Sequence, residues 1–416
     1  MKSHSRFDIE RFNQMVADYH EDDPQCTLMQ VSSYEDFCRK YPLSAREDLR
    51  EVSETLLNNG KLAGCYVVST SGTTSAPLMM ANRIWKKSTE DCYPIQFFQY
   101  LVENVFTPDD VVANLFFPGG FGLLYEGACR FLEPIGGTVL PIGRLDSFEH
   151  DHAHFDVFRR LGLNALIGTP ASIAEFAQAS QEAGVELDVR KLVFSGESFY
   201  PAKRKWIRDI WPNVEFYSLY GATECGLVAV GTPKDRDEQH FIFEDWFMLE
   251  EAADGGLYVT DLKGPLIPII RYRIGDSGSL VKLDDGSTQL RLKGRSDASF
   301  NCGGALIKHE TVVEKVRGVS GLEDVSVNDV QVILTNGAKG EDILKVVVNH
   351  QAADGEDLLR KLWDKVHSIK EVAEDVGRGA VELLTAGPPD LVVTRRTKTP
   401  MVIDYRHEDA SQGEAG

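Results

Sequence analysis

Short apolar runs that end at small residues recur through the first half of the chain. They predict strands at Ala63–Ser69, Val111–Phe117, Asn164–Gly168 and Lys191–Phe194, each followed by a turn or loop. Between the last two runs, Thr169 and Pro170 are typical of a helix N-cap and a first helical position. The pattern then predicts a helix at Ile173–Ala183, stopped by Gly184. Strands that alternate with helices indicate an α/β body.

The alternation changes after about Gly294. Gln331–Leu334 and Leu344–Val348 predict short strands, and Leu391–Val393 is a further candidate strand. Between them, apolar residues spaced three or four apart predict a helix at Glu356–Gly377 with one buried face. This pattern indicates a small α+β unit.

The length and composition fit a globular protein with more than one domain. The chain has 416 residues, of which 43% are hydrophobic. We place the boundary where the pattern changes. The expected fold is a large N-terminal α/β domain of mixed sheets and helices at residues 1–296, followed by a smaller, mobile α+β domain at residues 297–416.

The net charge limits the possible binding partners, and the cysteines indicate the redox environment. A formal net charge of −20 repels phosphate backbones and anionic lipid alike. No apolar run is long enough to span a membrane, and the polar residues Met1–Gln14 do not resemble a signal peptide. The seven cysteines are scattered, without metal-ligand spacing. We therefore expect a cytoplasmic protein with reduced thiols and with neither nucleic acid nor a membrane as partner.

The loop after the first predicted strand has the composition of a phosphate-binding loop. Ser69–Pro77 reads STSGTTSAP, in which six hydroxyl residues flank Gly72. Hydroxyl and amide groups can bind phosphate oxygens, and glycine allows the backbone to approach a ligand. An ordinary Ser/Thr turn is the alternative interpretation of these residues alone. The loop is not a Walker A motif, and Gly120 and Gly122 do not complete a dinucleotide motif because Tyr125 occupies the third glycine position.

Six segments in order resemble the motifs of the adenylate-forming superfamily of acyl-CoA ligases, adenylation domains and luciferases. These are Ser69–Pro77, Phe194–Ser198 (FSGES), Tyr220–Glu224 (YGATE), Tyr272–Asp276 (YRIGD), Gly294–Asp297 (GRSD) and Leu391–Arg406. Pro42–Arg50 and Gly119–Tyr125 are similar to the entry helix and the glycine-rich pocket segment of the phenylacetate–CoA ligase branch. The short chain also resembles the smaller members of that branch in antibiotic biosynthesis, such as phenazine-pathway adenylation enzymes.

The resemblance implies ATP-dependent activation of a carboxylic acid to an acyl-adenylate, with release of pyrophosphate. ATP and Mg²⁺ are the implied cofactors, and coenzyme A is the acyl acceptor of this branch. A carrier protein or a reductase is an alternative acceptor. Aromatic residues in the pocket segments favour an aryl acid. A noncatalytic nucleotide-binding protein of the same fold is the main alternative function, and both a monomer and a homodimer are compatible with the resemblance.

The same resemblance implies roles for individual residues. The implied catalytic residues are Lys398, Thr223 and Glu224, and Glu224 is also the implied metal ligand because Mg²⁺ prefers carboxylate and phosphate oxygens. The implied nucleotide-binding residues are Ser69, Thr70, Ser71, Gly72, Thr73, Thr74, Gly196, Glu197, Tyr220, Gly221, Asp276 and Arg295. The implied acid pocket contains Phe121, Gly122, Tyr125 and Ala222, and the implied hinge is Asp297.

The chain departs from the family pattern in two segments. In the phosphate loop, Ser75 replaces a usual glycine and Ala76 replaces a usual lysine. In the C-terminal segment, Thr397 and Met401 replace a glycine and an arginine on either side of Lys398. An ordinary solvated basic run is the alternative interpretation of that segment.

Three charged site residues also have an alternative interpretation in which their role is only structural. Without the motifs, Glu224 would be interpreted as a surface acid and Arg295 as one partner of a surface salt bridge. Glu197 is expected to be structural rather than catalytic.

Overall fold

The computed structural model describes most of the chain up to residue 349 and two short segments after it. The described ranges are residues 1–59, 62–70, 78–83, 100–101, 103–143, 153–196, 198–235, 239–295, 298–302, 305–318, 322–323, 325, 330–337, 340, 342–349, 381–386 and 401–406. The predicted helix at 356–377 and the predicted strand at 391–393 lie outside these ranges.

The described helices and strands alternate through the first half of the chain, and strands dominate the second half. The helices are α1 (Ile9–Asp22), α2 (Tyr34–Lys40), α3 (Arg46–Asn58), α4 (Leu124–Ile135), α5 (Ala153–Leu161), α6 (Pro170–Glu182), α7 (Pro201–Ile210) and α8 (His309–Arg317). The strands are β1 (Ser3–His4), β2 (Cys65–Ser69), β3 (Met79–Arg83), β4 (Val111–Asn114), β5 (Thr138–Leu140), β6 (Ala165–Gly168), β7 (Lys191–Ser195), β8 (Glu215–Ala222), β9 (Gly226–Gly231), β10 (Gln239–Ile242), β11 (Phe247–Glu251), β12 (Gly256–Asp261), β13 (Tyr272–Lys282), β14 (Thr288–Arg295), β15 (Ser299–Cys302), β16 (Ala305–Lys308), β17 (Val330–Asn336), β18 (Asp342–Asn349), β19 (Val381–Ala386) and β20 (Val402–Asp404).

One large mixed sheet dominates the fold. Its strand order is β1-β11-β12-β13-β14-β10-β9-β8-β7-β6-β4-β5. The segment β5-β4-β6-β7-β8 is parallel throughout, and β8 then pairs with β9 as an antiparallel hairpin. Parallel strands joined by helices confirm the predicted α/β body.

The strands and the helix predicted in the first half of the chain are confirmed, with small shifts at their ends. Helix α6 begins as the sequence predicts: Thr169 is its N-cap and accepts a hydrogen bond from the Ser172 amide, and Pro170 is its first residue. The strand predicted at 111–117 is shorter than expected. It ends at Asn114, whose side-chain oxygen accepts the Phe116 amide and so turns the backbone away from the sheet.

The described C-terminal part has its own sheet and its own core. Strands β17 and β18 are antiparallel neighbours, flanked by parallel β20 and β19. One hydrophobic cluster draws its buried members only from residues 300–348, while the other four clusters draw theirs from residues 12–290. The boundary predicted between residues 296 and 297 stays a prediction, and both residues lie outside the described ranges.

No helix among the described residues combines the length and the apolar character needed to cross a bilayer.

Candidate active site

The predicted motifs gather at one edge of the large sheet. Strands β6, β7 and β8 run parallel, so their carboxyl ends meet there. The FSGES segment begins in the last two residues of β7, and the last two residues of YGATE, Thr223 and Glu224, lie in the turn after β8. The carboxyl edge of a parallel sheet is where α/β proteins bind their ligands.

Two tyrosines and two carboxylates link the YGATE and YRIGD motifs reciprocally. Tyr220, the first residue of YGATE, donates its hydroxyl to Asp276 Oδ2 at 2.8 Å. Tyr272, the first residue of YRIGD, donates its hydroxyl to Glu224 Oε1 at 2.8 Å. Each motif therefore begins with a tyrosine that donates to the other motif and ends with a carboxylate that accepts from the other motif's tyrosine. These two bonds fix the predicted functional acids relative to each other.

The two tyrosines remain hydrogen-bond donors at physiological pH. Burial, followed by the charge of the Asp276 carboxylate, raises the pKa of Tyr220 well above its usual range. Burial, followed by the charge of Glu224, likewise raises the pKa of Tyr272. Both hydroxyl protons therefore stay in place to orient the carboxylates.

Asp276 also pairs with Arg295, from the GRSD motif. Arg295 Nη1 donates to Asp276 Oδ1 at 2.8 Å, and the two residues are register partners on β13 and β14. Arg295 Nε donates to Ser299 Oγ at 3.0 Å. The two side chains are 16% and 24% exposed, so the pair is half-buried rather than the surface salt bridge that was the alternative for Arg295. A carboxylate has about four lone-pair sites, so one carboxylate can accept hydrogen bonds from several donors at once.

The predicted phosphate loop connects β2 to β3, and its base is closed by hydrogen bonds. Thr70 N donates to Leu78 O at 3.0 Å, and Leu78 N donates to Thr70 Oγ1 at 2.9 Å. Ser69 pairs with Met79 in the β2–β3 register, and its hydroxyl donates to Thr70 O at 2.9 Å. Ser69 and Thr70 therefore lie at the point where the chain enters the predicted loop.

One cation approaches both the loop and the predicted metal ligand. Arg46, the first residue of α3, donates from Nη2 to Thr70 Oγ1 at 2.7 Å. Its Nη1 lies 3.9 Å from Glu224 Oε1. Thr70 and Glu224, which are 154 positions apart in the sequence, are thus brought to the same guanidinium.

One of the predicted acid-pocket residues is bonded to the strand that leads into the predicted phosphate loop. Ser69 N donates to Phe121 O at 3.0 Å, which joins the glycine-rich segment to the strand before the phosphate loop. Phe121 has a φ of 58° and its side chain is 63% exposed, so a large ring is held outside the core in a backbone conformation that is uncommon for non-glycine residues. Tyr125 donates its hydroxyl to Pro141 O at 3.2 Å, and Ala222 packs against the core cluster below the β8–β9 hairpin.

Three of the four predicted site glycines lie within the described ranges, and each has a steric or conformational reason to be glycine. A Cβ on Gly221 would lie 2.8 Å from Leu227 Cα on the neighbouring strand. Gly196 has a φ of +88°, which other residues rarely adopt, and a Cβ on Gly122 would lie 3.1 Å from Gly119 O. These close approaches explain the glycines without a ligand, so their predicted ligand contacts stay predictions.

Several predicted site residues lie outside the described ranges. They are Ser71, Gly72, Thr73, Thr74, Glu197, Asp297 and Lys398.

Two site residues were not found from the sequence. The resemblance implies no role for Tyr272 beyond its place in YRIGD, although its four-residue spacing from Asp276 repeats that of Tyr220 from Glu224. Arg46 lies in the segment that resembles the entry helix, and the lack of a basic residue in the phosphate loop is the sequence signal that points to a cation from elsewhere.

A match to a known protein family accounts for this set of motifs. Residues 9–242 match the AMP-binding enzyme family, which is more than half of the chain. The chain therefore belongs to the AMP-binding enzyme family, and its class is that of the adenylate-forming ligases.

Individual relatives extend the likeness over nearly the whole chain. An indoleacetate–lysine synthetase from Pseudomonas savastanoi is 25% identical over 378 residues, covering 90% of this chain and 93% of that protein. The crystal structure of a 2-hydroxyisobutyryl-CoA ligase with its acyl-AMP and CoA is 20% identical, with a TM-score of 0.64, over 95% of this chain and 88% of that one. The amide bond synthetase McbA from Marinactinospora thermotolerans is 18% identical, with a TM-score of 0.51, over 82% and 68% of the two chains. The two structures share the fold with this chain.

Proposed function

We propose that this chain activates an aromatic carboxylic acid with ATP and then transfers the acyl group to a nucleophile. In the first step a carboxylate oxygen forms a bond to the α-phosphorus, and the bond from that phosphorus to the pyrophosphate oxygen breaks. Two anions must approach each other, so the residues that orient them and neutralise charge govern the rate. The observation that carries the proposal is the reciprocal pairing of Tyr220 with Asp276 and of Tyr272 with Glu224 at the ligand-binding edge of the sheet.

In this proposal Asp276 accepts the ribose hydroxyls, and Arg295 and Tyr220 hold its carboxylate in place. Thr223, in the turn beside Glu224, donates to the α-phosphate. Lys398 stabilises charge on the α-phosphate and on the attacking oxygen, as the resemblance implies. Phe121, Gly122, Tyr125 and Ala222 form the acid pocket.

Glu224 is suited to a Mg²⁺ ion that binds together with ATP. Tyr272 and Arg46 both approach Oε1, and in the described part of the chain no hydrogen bond reaches Oε2. No group of three or more His, Cys, Asp or Glu side chains there could hold a metal ion. A single carboxylate oxygen is a usual protein ligand for Mg²⁺, and phosphate oxygens and water supply the other ligands. When bound, the ion neutralises phosphate charge.

Coenzyme A is the first candidate for the acyl acceptor, as the sequence resemblance implies. A primary amine is the second candidate. It is favoured by the relative that spans 90% of this chain, whose name is that of a ligase joining indoleacetate to lysine. The same name supports an aromatic acid as the substrate. Both acceptors attack the carbonyl carbon of the adenylate and expel AMP.

The test is ATP–pyrophosphate exchange with a panel of acids: phenylacetate, indoleacetate, benzoate and an aliphatic acid of similar size. We expect exchange with at least one aromatic acid and weaker exchange with the aliphatic one. Product analysis with coenzyme A or lysine then identifies the acceptor. ATP binding without exchange for any acid would contradict the proposal and favour a noncatalytic nucleotide-binding protein.

A further inference from the structure

The guanidinium of Arg46 lies between the predicted phosphate loop and the predicted Mg²⁺ ligand. Helix α3 sets this position, because its Leu49 packs in the same core cluster as Leu78 and Met80 at the start of β3. Arg46 Nη2 reaches Thr70 Oγ1 at 2.7 Å, and Nη1 lies 3.9 Å from Glu224 Oε1. The cation is therefore placed by tertiary packing at the centre of the described part of the site.

The contacts of Arg46 leave it able to take a ligand. Its side chain is 34% exposed, so an anion can reach it from solvent. The distance to Glu224 is beyond hydrogen-bond range, so the ion pair is loose. Within the described residues, the buried Nε has no hydrogen-bond partner. A guanidinium carries five N–H donors, and these contacts use only part of them.

The phosphate loop itself has no positive charge in its sequence. Ser69–Pro77 contains no lysine or arginine. Pyrophosphate leaves with several negative charges, and a site that releases it needs a cation near the β- and γ-phosphates. Arginine suits this role because its planar fork can donate two parallel hydrogen bonds to a phosphate group.

We propose that Arg46 binds the β- and γ-phosphates of ATP and so stabilises the pyrophosphate leaving group. The proposal rests on the proposed adenylation function, which supplies the pyrophosphate. Arg46 then contacts the substrate directly, from outside the phosphate loop. Its contacts to Thr70 and Glu224 hold the guanidinium at this position.

The test compares Arg46→Met and Arg46→Lys with the wild-type chain by calorimetry, using AMP, a nonhydrolysable ATP analogue and inorganic pyrophosphate, each with Mg²⁺. For Arg46→Met we expect the affinity for the ATP analogue and for pyrophosphate to fall about ten- to a hundredfold, the range for a hydrogen bond to a charged partner. The affinity for AMP should change less than about threefold, because AMP lacks both phosphates. Arg46→Lys should restore part of the loss, because it keeps the charge without the fork.

Arg50→Met is the matched control. Arg50 lies one turn further along α3, where its guanidinium is 4.0 Å from Glu54 Oε1. This variant should bind all three ligands as the wild type does. Thermal unfolding of each variant checks that the fold is intact.

Other outcomes overturn the assignment. Equal losses for AMP and the ATP analogue would place Arg46 at the α-phosphate or in a structural role. A loss seen only in the KM for the acid would make it a carboxylate ligand, and unchanged affinities would exclude it from the site. Acid-dependent exchange by the wild type is measured separately. The wild type could show no exchange while the Arg46 variants still lose affinity for the ATP analogue and for pyrophosphate but not for AMP. In that case the proposed function is wrong, and the assignment of Arg46 to a phosphate-binding site is still supported.

Discussion

At the scale of single residues, the partners of a charged side chain distinguish site carboxylates from surface ones. Asp276 is 16% exposed and is bonded by a half-buried tyrosine and an arginine. Asp254 is 57% exposed and pairs with Arg273 at 2.9 Å on the protein surface. A surface pair of this kind contributes little, whereas a half-buried carboxylate held by several donors has a fixed orientation.

We predict that Asp276→Ala weakens binding of both AMP and ATP by about 1.5–3 kcal/mol, the range for hydrogen bonds to a charged group. The reason is that both nucleotides carry the ribose that Asp276 is proposed to bind. Calorimetry with AMP measures the change directly. Asp254→Ala, which removes an exposed acid from an Asp–Arg pair, is the control and should leave AMP affinity unchanged. An AMP affinity equal to wild type in Asp276→Ala would remove this residue from the site.

The second prediction at this scale concerns Glu224. Glu224→Gln keeps the shape of the side chain and removes the charge that Mg²⁺ prefers. We expect a normally folded protein that loses Mg²⁺-dependent pyrophosphate exchange. Glu215→Gln is the control, since Glu215 is exposed at the start of β8, the strand that leads to Glu224. Wild-type exchange in Glu224→Gln at ordinary Mg²⁺ concentrations would show that the metal ligand lies elsewhere.

At the scale of elements, the β8–β9 hairpin carries Tyr220 and Glu224 into the site. Its register shifts between Tyr220 and Gly221, where the two strands approach closely. A Cβ on Gly221 would collide with the backbone of Gly226 and Leu227. Because the obstacle is backbone and not a flexible side chain, the hairpin can accommodate a larger residue only by moving both functional side chains.

We therefore predict that Gly221→Ala lowers exchange activity at least tenfold and destabilises the fold by about 1–3 kcal/mol, the usual cost of overpacking. Gly127→Ala is the matched control. Gly127 is in helix α4, and its Cβ would meet nothing within 4 Å. That substitution should stabilise the protein by about 0.5–1 kcal/mol, because alanine favours a helix. Chemical denaturation measures both, and equal stability of the two variants would contradict the steric argument.

At the scale of the whole molecule, a buried charge cluster connects the C-terminal sheet to helix α7 of the large part. Lys203 Nζ lies 3.7 Å from Asp342 Oδ1, and Arg406 Nη1 lies 3.2 Å from the same oxygen. Arg406 Nη2 is 2.7 Å from Asp404 Oδ2, and its guanidinium lies 4.1 Å from the ring centre of Tyr200. Two cations and two carboxylates balance in charge, which is what permits their burial.

We predict that Lys203→Met loosens this contact, because it leaves a buried carboxylate with one cation fewer. The expected loss is about 1–3 kcal/mol of local stability. Hydrogen exchange of the β17 and β20 amides should become faster, while the strands of the large sheet keep their protection. Lys205→Met, on the exposed face of the same helix, should change neither. Unchanged exchange in both variants would mean that the cluster does not hold the C-terminal sheet in place.

The last prediction concerns Lys398 and the implied hinge Asp297, both in the predicted mobile C-terminal domain. We expect the lysine to reach the α-phosphate only when this domain closes over the ATP, and acyl transfer to need a second closure that removes the lysine. Lys398→Ala should lower adenylation about 10²–10³-fold, the loss typical of one transition-state donor, and should largely spare acyl transfer from a supplied adenylate. Asp297→Pro, which fixes φ at the proposed hinge, should impair transfer more than adenylation. Single-turnover assays of each half-reaction measure both. Intact adenylation in Lys398→Ala would make Arg395 and Arg396, the other basic residues just before it in the same segment, the next candidates. Equal slowing of both steps by Asp297→Pro would contradict a rotation at Asp297 between one closure for adenylation and another for transfer.

The sequence by itself determined the local elements and the order of the motifs. Apolar runs located strands β2, β4, β6 and β7, and Thr169 with Pro170 located the start of α6, because these signals depend only on neighbouring residues. The family motifs singled out Glu224 and Asp276 as site residues by type and position.

Only the tertiary structure decided which of these residues meet. Tyr220 and Asp276 lie on β8 and β13, which are separated by three strands in the sheet order, yet their side chains form a hydrogen bond. Arg46 reaches Thr70 and Glu224 because α3 packs against the strands that frame the phosphate loop. No local pattern encodes such contacts, because they depend on strand register, sheet curvature and helix packing, to which the whole chain contributes.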